Sequence, residues 1–420
     1  MAIKTSLLKS FQLLGGTFGN MLFQLFRNKL LAVALGPAGV GWIALINNLV
    51  ETAAVVAGGG VADSLNRELA RRKPSFTPSQ LISTGFGIAL MLLTVTFPAA
   101  VVALLFTVPE NGMLALVIAG LFVAIIAATG WRLIAGCFLG LGMARAMAIA
   151  SITASGLNLS LTAALLAAGI DNPLVFVMLA PLCLVGAGLF FVWRTMAENV
   201  RLHAIRTLPA RKPVLEVALP VAAGLLLEPM TSFYLRSATG LRLGEEAIGL
   251  LQPGFLFVFV AAAIFNTIAG ITLVRWDQSQ ERAFSRKYLV MLGAALFLPV
   301  LAIAAAFLLS PIYPFLISLF FADAFRLGAT AVPWLLAGEV FRMAGAMLLF
   351  TFFSREMGYF TLLPRVICLI TAVIAVQLTE TFSIVTAAQS YAAAFCASFL
   401  VSLAMWISFQ IYLARKTPAS

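Results

Sequence analysis

Charge is what this chain has least of. Asp, Glu, Lys and Arg together make up 10% of its 420 residues, only 16 residues are acidic, and there is one histidine. Soluble domains carry about a quarter charged residues, so a soluble globular body is excluded. A Gly-x-x-x-x-Gly-Lys-Ser/Thr stretch is absent, which removes hydrolysis of a nucleoside triphosphate on a phosphate loop. Cysteine is sparse too. Cys137, Cys183, Cys368 and Cys396 all fall inside apolar runs without metal or redox spacing, and they read as helix-packing residues. Alternating ten-residue segments of the outer-membrane barrel kind are also missing.

Apolar residues are abundant instead. They make up 62% of the chain and come in runs of about twenty or more, the length that crosses ~30 Å of hydrocarbon as helix. Twelve spans can be drawn, at 7–35, 38–66, 79–108, 112–140, 144–170, 173–198, 214–240, 246–275, 285–309, 330–354, 357–379 and 383–413. The first is too long for a signal-peptide core and is followed by no cleavage site, so it counts as a helix. The longest polar stretch, 201–213, separates an N-terminal lobe (1–200, helices 1–6) from a C-terminal lobe (214–420, helices 7–12), with weak internal self-similarity. The predicted fold class is an all-α integral membrane protein of about twelve transmembrane helices, in two six-helix lobes around a central cavity.

The formal net charge of +11 does not point to nucleic acid, because the cations sit in short loops between apolar runs. With the N-terminus inside, nineteen Lys and Arg fall in inward segments and two, Arg242 and Arg326, in outward ones. That bias places both termini in the cytoplasm. His203 lies in the inward linker and reads as solvated.

Six of the 27 cations remain within spans: Arg27, Lys29, Arg132, Arg236, Arg342 and Arg365. Glu51, Glu228 and Glu339 also sit near mid-span. Each central charge costs about 2.5–3.5 kcal/mol on insertion scales, so these nine must line a hydrated cavity, pair with one another, or snorkel. Snorkelling competes most strongly for Lys29 and Arg365. Asn20, Gln24 and Arg27 follow i, i+4, i+7 spacing and form one polar stripe on the first helix; Asn47, Asn48 and Glu51 do the same on the second. Glu339 and Arg342 share a face of the tenth span, and Glu228 and Arg236 share one of the seventh. Interhelical salt bridges are the competing reading for each. Six cations against three anions still leave positive charge in excess. A cavity of that balance attracts a polyanionic headgroup such as a diphosphate, which Arg recognises without losing its charge.

Three regions resemble a known family. The segment from Lys29, through Leu30, Leu31 and Ala32 to Gly36, Pro37, Gly39 and Gly41, is similar to the exit of the first helix in polysaccharide flippases of the Wzx type. These belong to the multidrug/oligosaccharidyl-lipid/polysaccharide exporter superfamily. Gly338, Glu339, Val340 and Arg342 resemble that family's tenth-helix segment, while Tyr234 with Arg236, and Glu245 and Glu246 before Ile248, resemble its seventh-to-eighth helix region. The resemblance implies a non-enzymatic flippase for the O-antigen unit or the lipid III of enterobacterial common antigen. It would move undecaprenyl-diphosphate-linked oligosaccharide from the cytoplasmic to the periplasmic leaflet of a bacterial inner membrane, with a polysaccharide polymerase as a candidate partner. By motif position Lys29, Glu339 and Arg342 carry over; Arg132 and Arg365 rest on physics alone. No cofactor is implied, and Glu51, Glu228 or Glu339 could couple a proton or sodium gradient. Three rivals stand beside it. A multidrug cation antiporter of the same superfamily should have an acidic cavity. A membrane glycosyltransferase or O-antigen polymerase should have a large outer loop, whereas the outer acids here (Glu110, Asp171, Glu245, Glu246, Asp323 and Glu380) are scattered over short ones. The lipid II flippase branch typically has two more helices.

Overall fold

The computed structural model describes residues 2–70, 76–107, 114–196, 211–276, 286–354 and 358–416. His203, Glu110 and most of the 201–213 linker lie outside them. The described residues form two compact units, Met1–Pro229 and Met230–Ser420. The division falls inside a helix.

The first unit contains α1 (Ala2–Ala54), α2 (Gly60–Ala70), α3 (Pro78–Thr107), α4 (Leu114–Gly140), α5 (Ala144–Ala167), α6 (Pro173–Met196) and the start of α7 (Arg211–Leu243). The second contains the end of α7, then α8 (Glu245–Trp276), α9 (Arg286–Leu308), a short α10 (Tyr313–Phe320), α11 (Val332–Ser354), α12 (Leu362–Leu378) and α13 (Ile384–Lys416). Ten of the described helices are long and apolar enough to cross a membrane. Helix is the natural solution for such runs, because it satisfies every backbone N–H and C=O within the segment.

α1 is two helices in one. Gly36 has φ 63° and ψ −174°, and Pro37 follows it. That backbone conformation is essentially restricted to glycine. The Gly-Pro pair therefore turns the chain where the sequence places the boundary between its first two spans.

The 58–60 glycine run is both a packing surface and a distortion. A π-helical turn, Val55–Gly59, separates α1 from α2, and such turns insert a residue into the helical ladder. A methyl group on Gly58 would touch Thr129 of α4 at 3.0 Å, and one on Gly60 would run into the Ala218 carbonyl and the Ala222 nitrogen of α7. Gly136 on α4 meets Ala62 on α2 just as tightly. Small residues thus let three backbones approach where no hydrophobic effect drives helices together. Around them Val61, Leu65, Leu81, Ile82, Leu133, Cys137, Val214 and Ala218 form a buried core.

Helix starts are written locally. Thr77 and Gln80 exchange backbone-to-side-chain hydrogen bonds of 2.9 and 3.2 Å ahead of α3, a capping box with Pro78 at the first position. The Asn172 side chain accepts from the Leu174 N–H at the start of α6, and Ser383 with Thr386 does the equivalent for α13.

The segment between α9 and α11, expected as a loop, is structured. It holds a 3-10 turn (Ser310–Ile312), α10 and a second 3-10 stretch (Asp323–Ala331), with the Tyr313 hydroxyl donating to the Ala306 carbonyl at 2.9 Å. Eight helical residues are too few to span, and Pro311 and Pro314 hide the pattern from a hydropathy reading.

Three stability outcomes are expected in detergent melts. Gly36→Ala should cost about 1–3 kcal/mol through backbone strain. Gly60→Ala should cost a similar ~1–3 kcal/mol through overpacking against α7. Gly293→Ala, on α9 with nothing within 4 Å of the added carbon, should be neutral or slightly stabilising, since glycine is a poor helix former.

Candidate functional site

In the first unit the polar stripe of α1 faces its neighbours. Gly16 lies against Ala148, Gly19 against Ile152, and Gly156 against Phe23. Residue numbers rise together on both helices, so α1 and α5 run parallel. Asn20 sits in this seam, where its side-chain oxygen accepts from Gln24 at 3.0 Å and from the Ser155 hydroxyl. One turn further Arg27, 8% exposed, donates from Nη2 to the Phe176 carbonyl of α6 at 2.7 Å. Its Nε has no acceptor. Among the described residues no carboxylate is paired with it. Lys29 follows, half-buried.

Past the kink, Asn47 and Asn48 are half-buried. The Thr52 hydroxyl donates to the Asn48 backbone carbonyl at 2.7 Å, while Asn48 Oδ1 finds no donor. Glu51 and Arg132 form an ion pair between α1 and α4. Arg132 also acts electrostatically on Asp63 of α2, across the π-helical turn from Glu51. Asp63 carries no signal in the sequence because it lies near the end of its span, where a charge carries little penalty.

In the second unit four helices meet around Tyr391. Glu339 on α11 is 1% exposed. Arg342, one turn on, grips it bidentately, Nε to Oε2 at 2.8 Å and Nη2 to Oε1 at 2.5 Å. The Tyr391 hydroxyl of α13 lies 3.5 Å from Oε2. Gly338 makes the approach possible, because a Cβ there would strike the Tyr391 ring. The ring of Phe255 (α8) packs edge-on to Tyr391, centroids 5.6 Å apart. The buried Arg236 guanidinium (α7) lies 4.2 Å over Phe255 and donates to Gln252 at 3.3 Å. Arg236 and Glu228 share a helix but lie in different compact units. Glu228 is half-buried, as is Arg365 on α12.

Of the six intramembrane cations, the structure therefore joins Arg132 to Glu51 and Arg342 to Glu339, and it gives Arg27 and Arg236 neutral oxygen acceptors. Tyr391, Phe255, Gln252 and Ser155 complete these clusters. Polar residues inside apolar runs were the available signal for Tyr391 and Ser155; nothing in the spacing marks Phe255. No group of three or more His, Cys, Asp or Glu among the described residues could hold a metal ion. Chemically, the arrangement offers fixed guanidinium donors and one buried carboxylate, Glu339, groups that can bind an anion and exchange a proton.

No protein-family model and no curated protein matches the chain. Solved structures do. An inward-facing multidrug resistance MATE family transporter of the MOP superfamily aligns with TM-score 0.68 at 17% identity, over 95% of this chain and 96% of that one. The lipid II flippase MurJ, in an inward closed conformation, aligns with TM-score 0.68 at 13% identity, over 96% and 90%. A MOP superfamily transporter from Pyrococcus furiosus, whose binding pocket is described as of reverse polarity suggesting a different function, aligns with TM-score 0.67 at 17% identity, over 99% and 97%. The chain is an all-helical, multi-pass membrane protein with the fold of MOP-superfamily transporters.

Proposed function

We propose that this protein is a flippase of that superfamily. Its substrate would be an undecaprenyl-diphosphate-linked oligosaccharide, an O-antigen or enterobacterial common antigen unit. Transport would run from the cytoplasmic to the periplasmic leaflet of a bacterial inner membrane, by alternating access of lobes at 1–200 and 214–420. Both termini would be cytoplasmic, and a polysaccharide polymerase would receive the product.

The observation that carries this reading is Arg27. A guanidinium buried in a span, with a carbonyl for partner and an orphan Nε, is costly unless the charge has a use. An arriving phosphate supplies both the missing acceptor and the counter-charge. Lys29 and Arg132 in the first unit, and Arg236, Arg342 and Arg365 in the second, are proposed as further diphosphate-binding cations, each within its own unit. The lipid II flippase among the structural relatives supports a lipid-linked substrate; only the first-helix and tenth-helix motifs support the particular glycan.

A multidrug cation antiporter is the second reading. It is favoured by the MATE transporters among the relatives and by Glu51, whose side chain is 58% exposed beside Arg132. Liposomes carrying the protein and a fluorescent polyprenyl-diphosphate glycan separate the two. Arg27→Gln should slow flipping about ten- to a hundredfold, the worth of one charge-assisted hydrogen bond of ~1.5–3 kcal/mol. Unchanged flipping by a folded Arg27→Gln protein, or transport of an organic cation against a proton gradient without flipping, would sink the anionic reading.

A further inference from the structure

α9, α11, α12 and α13 contain a single carboxylate between them, Glu339. Both of its oxygens are occupied by Arg342, at 2.5 and 2.8 Å, from three residues along the same helix. The guanidinium edge that Glu339 fills, Nε with Nη2, is the edge that takes a carboxylate or a phosphate by the same two parallel hydrogen bonds. Glu339 therefore sits where the phosphate of a ligand would sit on Arg342. Because the two residues share one helix turn, no rigid-body movement of helices can part them. A change of charge can.

We propose that Glu339 is a tethered competitor for the Arg342 fork, so that an anionic substrate and one proton bind together. This rests on the reading of the substrate as an anion. With Glu339 ionised, an incoming phosphate must displace a buried carboxylate from its guanidinium, which is strongly unfavourable. A protonated Glu339 releases the fork and keeps a partner, since the Tyr391 hydroxyl beside Oε2 can accept the new O–H. The phosphate then replaces the carboxylate as counter-charge, and the local charge balance is conserved. Arg342 is placed to make the exchange: its side chain is 21% exposed, against 2% for that of Glu339.

The surrounding groups leave the titration to Glu339. On its own helix it faces Arg342. α13 presents Tyr391, and α7 presents Arg236 beyond the Phe255 ring of α8. α12 contributes the buried Cys368 of the same core and the half-buried Arg365. α9 contributes Tyr288, whose ring lies edge-on to Trp406 of α13. The acids of α8, Glu245 and Glu246, are exposed at its first turn.

Reciprocal linkage sets the sign. Anion affinity is highest at low pH and falls about tenfold per pH unit above the titration of Glu339, with about one proton taken up per anion bound. The test is equilibrium binding to the purified full-length protein between pH 5 and 8. The probe is a short-chain prenyl diphosphate sugar, whose two phosphodiester acids stay ionised throughout. Calorimetry in two buffers of different ionisation enthalpy counts the protons. Glu339→Gln should bind at pH 8 at least as tightly as the wild type does at pH 5, with no slope. Glu339→Asp should retain the slope, and it serves if the Gln variant does not fold. Wild-type affinity independent of pH without proton uptake would overturn the coupling while leaving the anionic substrate intact, as would a slope that survives in Glu339→Gln. If neither folded wild type nor Glu339→Gln binds the probe at any pH, the anionic substrate fails and the coupling falls with it.

Discussion

A charge in hydrocarbon needs a local answer, and this requirement organises each compact unit. Insertion of a central charge costs about 2.5–3.5 kcal/mol, more than most single packing contacts return. The second unit answers with a bidentate pair, Glu339 with Arg342, sealed by Tyr391 and by a glycine that lets the ring come close. Arg236 is answered differently, by the Phe255 face and the Gln252 amide. In the first unit Glu51 is paired with Arg132, which also acts electrostatically on Asp63. Among the described residues Arg27 has only a backbone carbonyl for partner, and the proposed function rests on that incompleteness.

The scaffold that holds these charges depends on small residues more than on large ones. Gly16 against Ala148 sets the seam in which Asn20 meets Ser155. Gly136 against Ala62 and Gly60 against Ala218 bring α2, α4 and α7 together around the π-helical turn. Such contacts fix where Glu51 and Asp63 stand relative to α4. Close packing and charge placement are therefore one constraint: widening the glycine seams would pull the guanidiniums off their acceptors.

Much of this was legible in the sequence. Run length and the one-sided cations marked the spans. The Gly36-Pro37 pair marked the first turn, and the 338–342 segment marked the Glu339–Arg342 pair through its i, i+3 spacing. What was not legible depends on partners distant in the chain. Periodicity says that Asn20, Gln24 and Arg27 share a face, but it cannot say that Asn20 meets Ser155 of α5 or that Arg27 meets the Phe176 carbonyl of α6. Phe255 under Arg236 was hidden for the same reason, as an aromatic in an apolar run carries no mark of its cation. The helix at Tyr313–Phe320 was missed because hydropathy detects length, and this element is short.

In the proposed function, negative charge on the lipid carrier is what the protein recognises. The most direct measurement compares leaflet exchange, in liposomes with the wild-type protein, of one fluorescent oligosaccharide carried on a polyprenyl diphosphate and on an uncharged polyprenyl ether. Protein-dependent exchange of the diphosphate and none of the ether is expected. Equal exchange of both, or exchange of neither while an organic cation is transported, would contradict it.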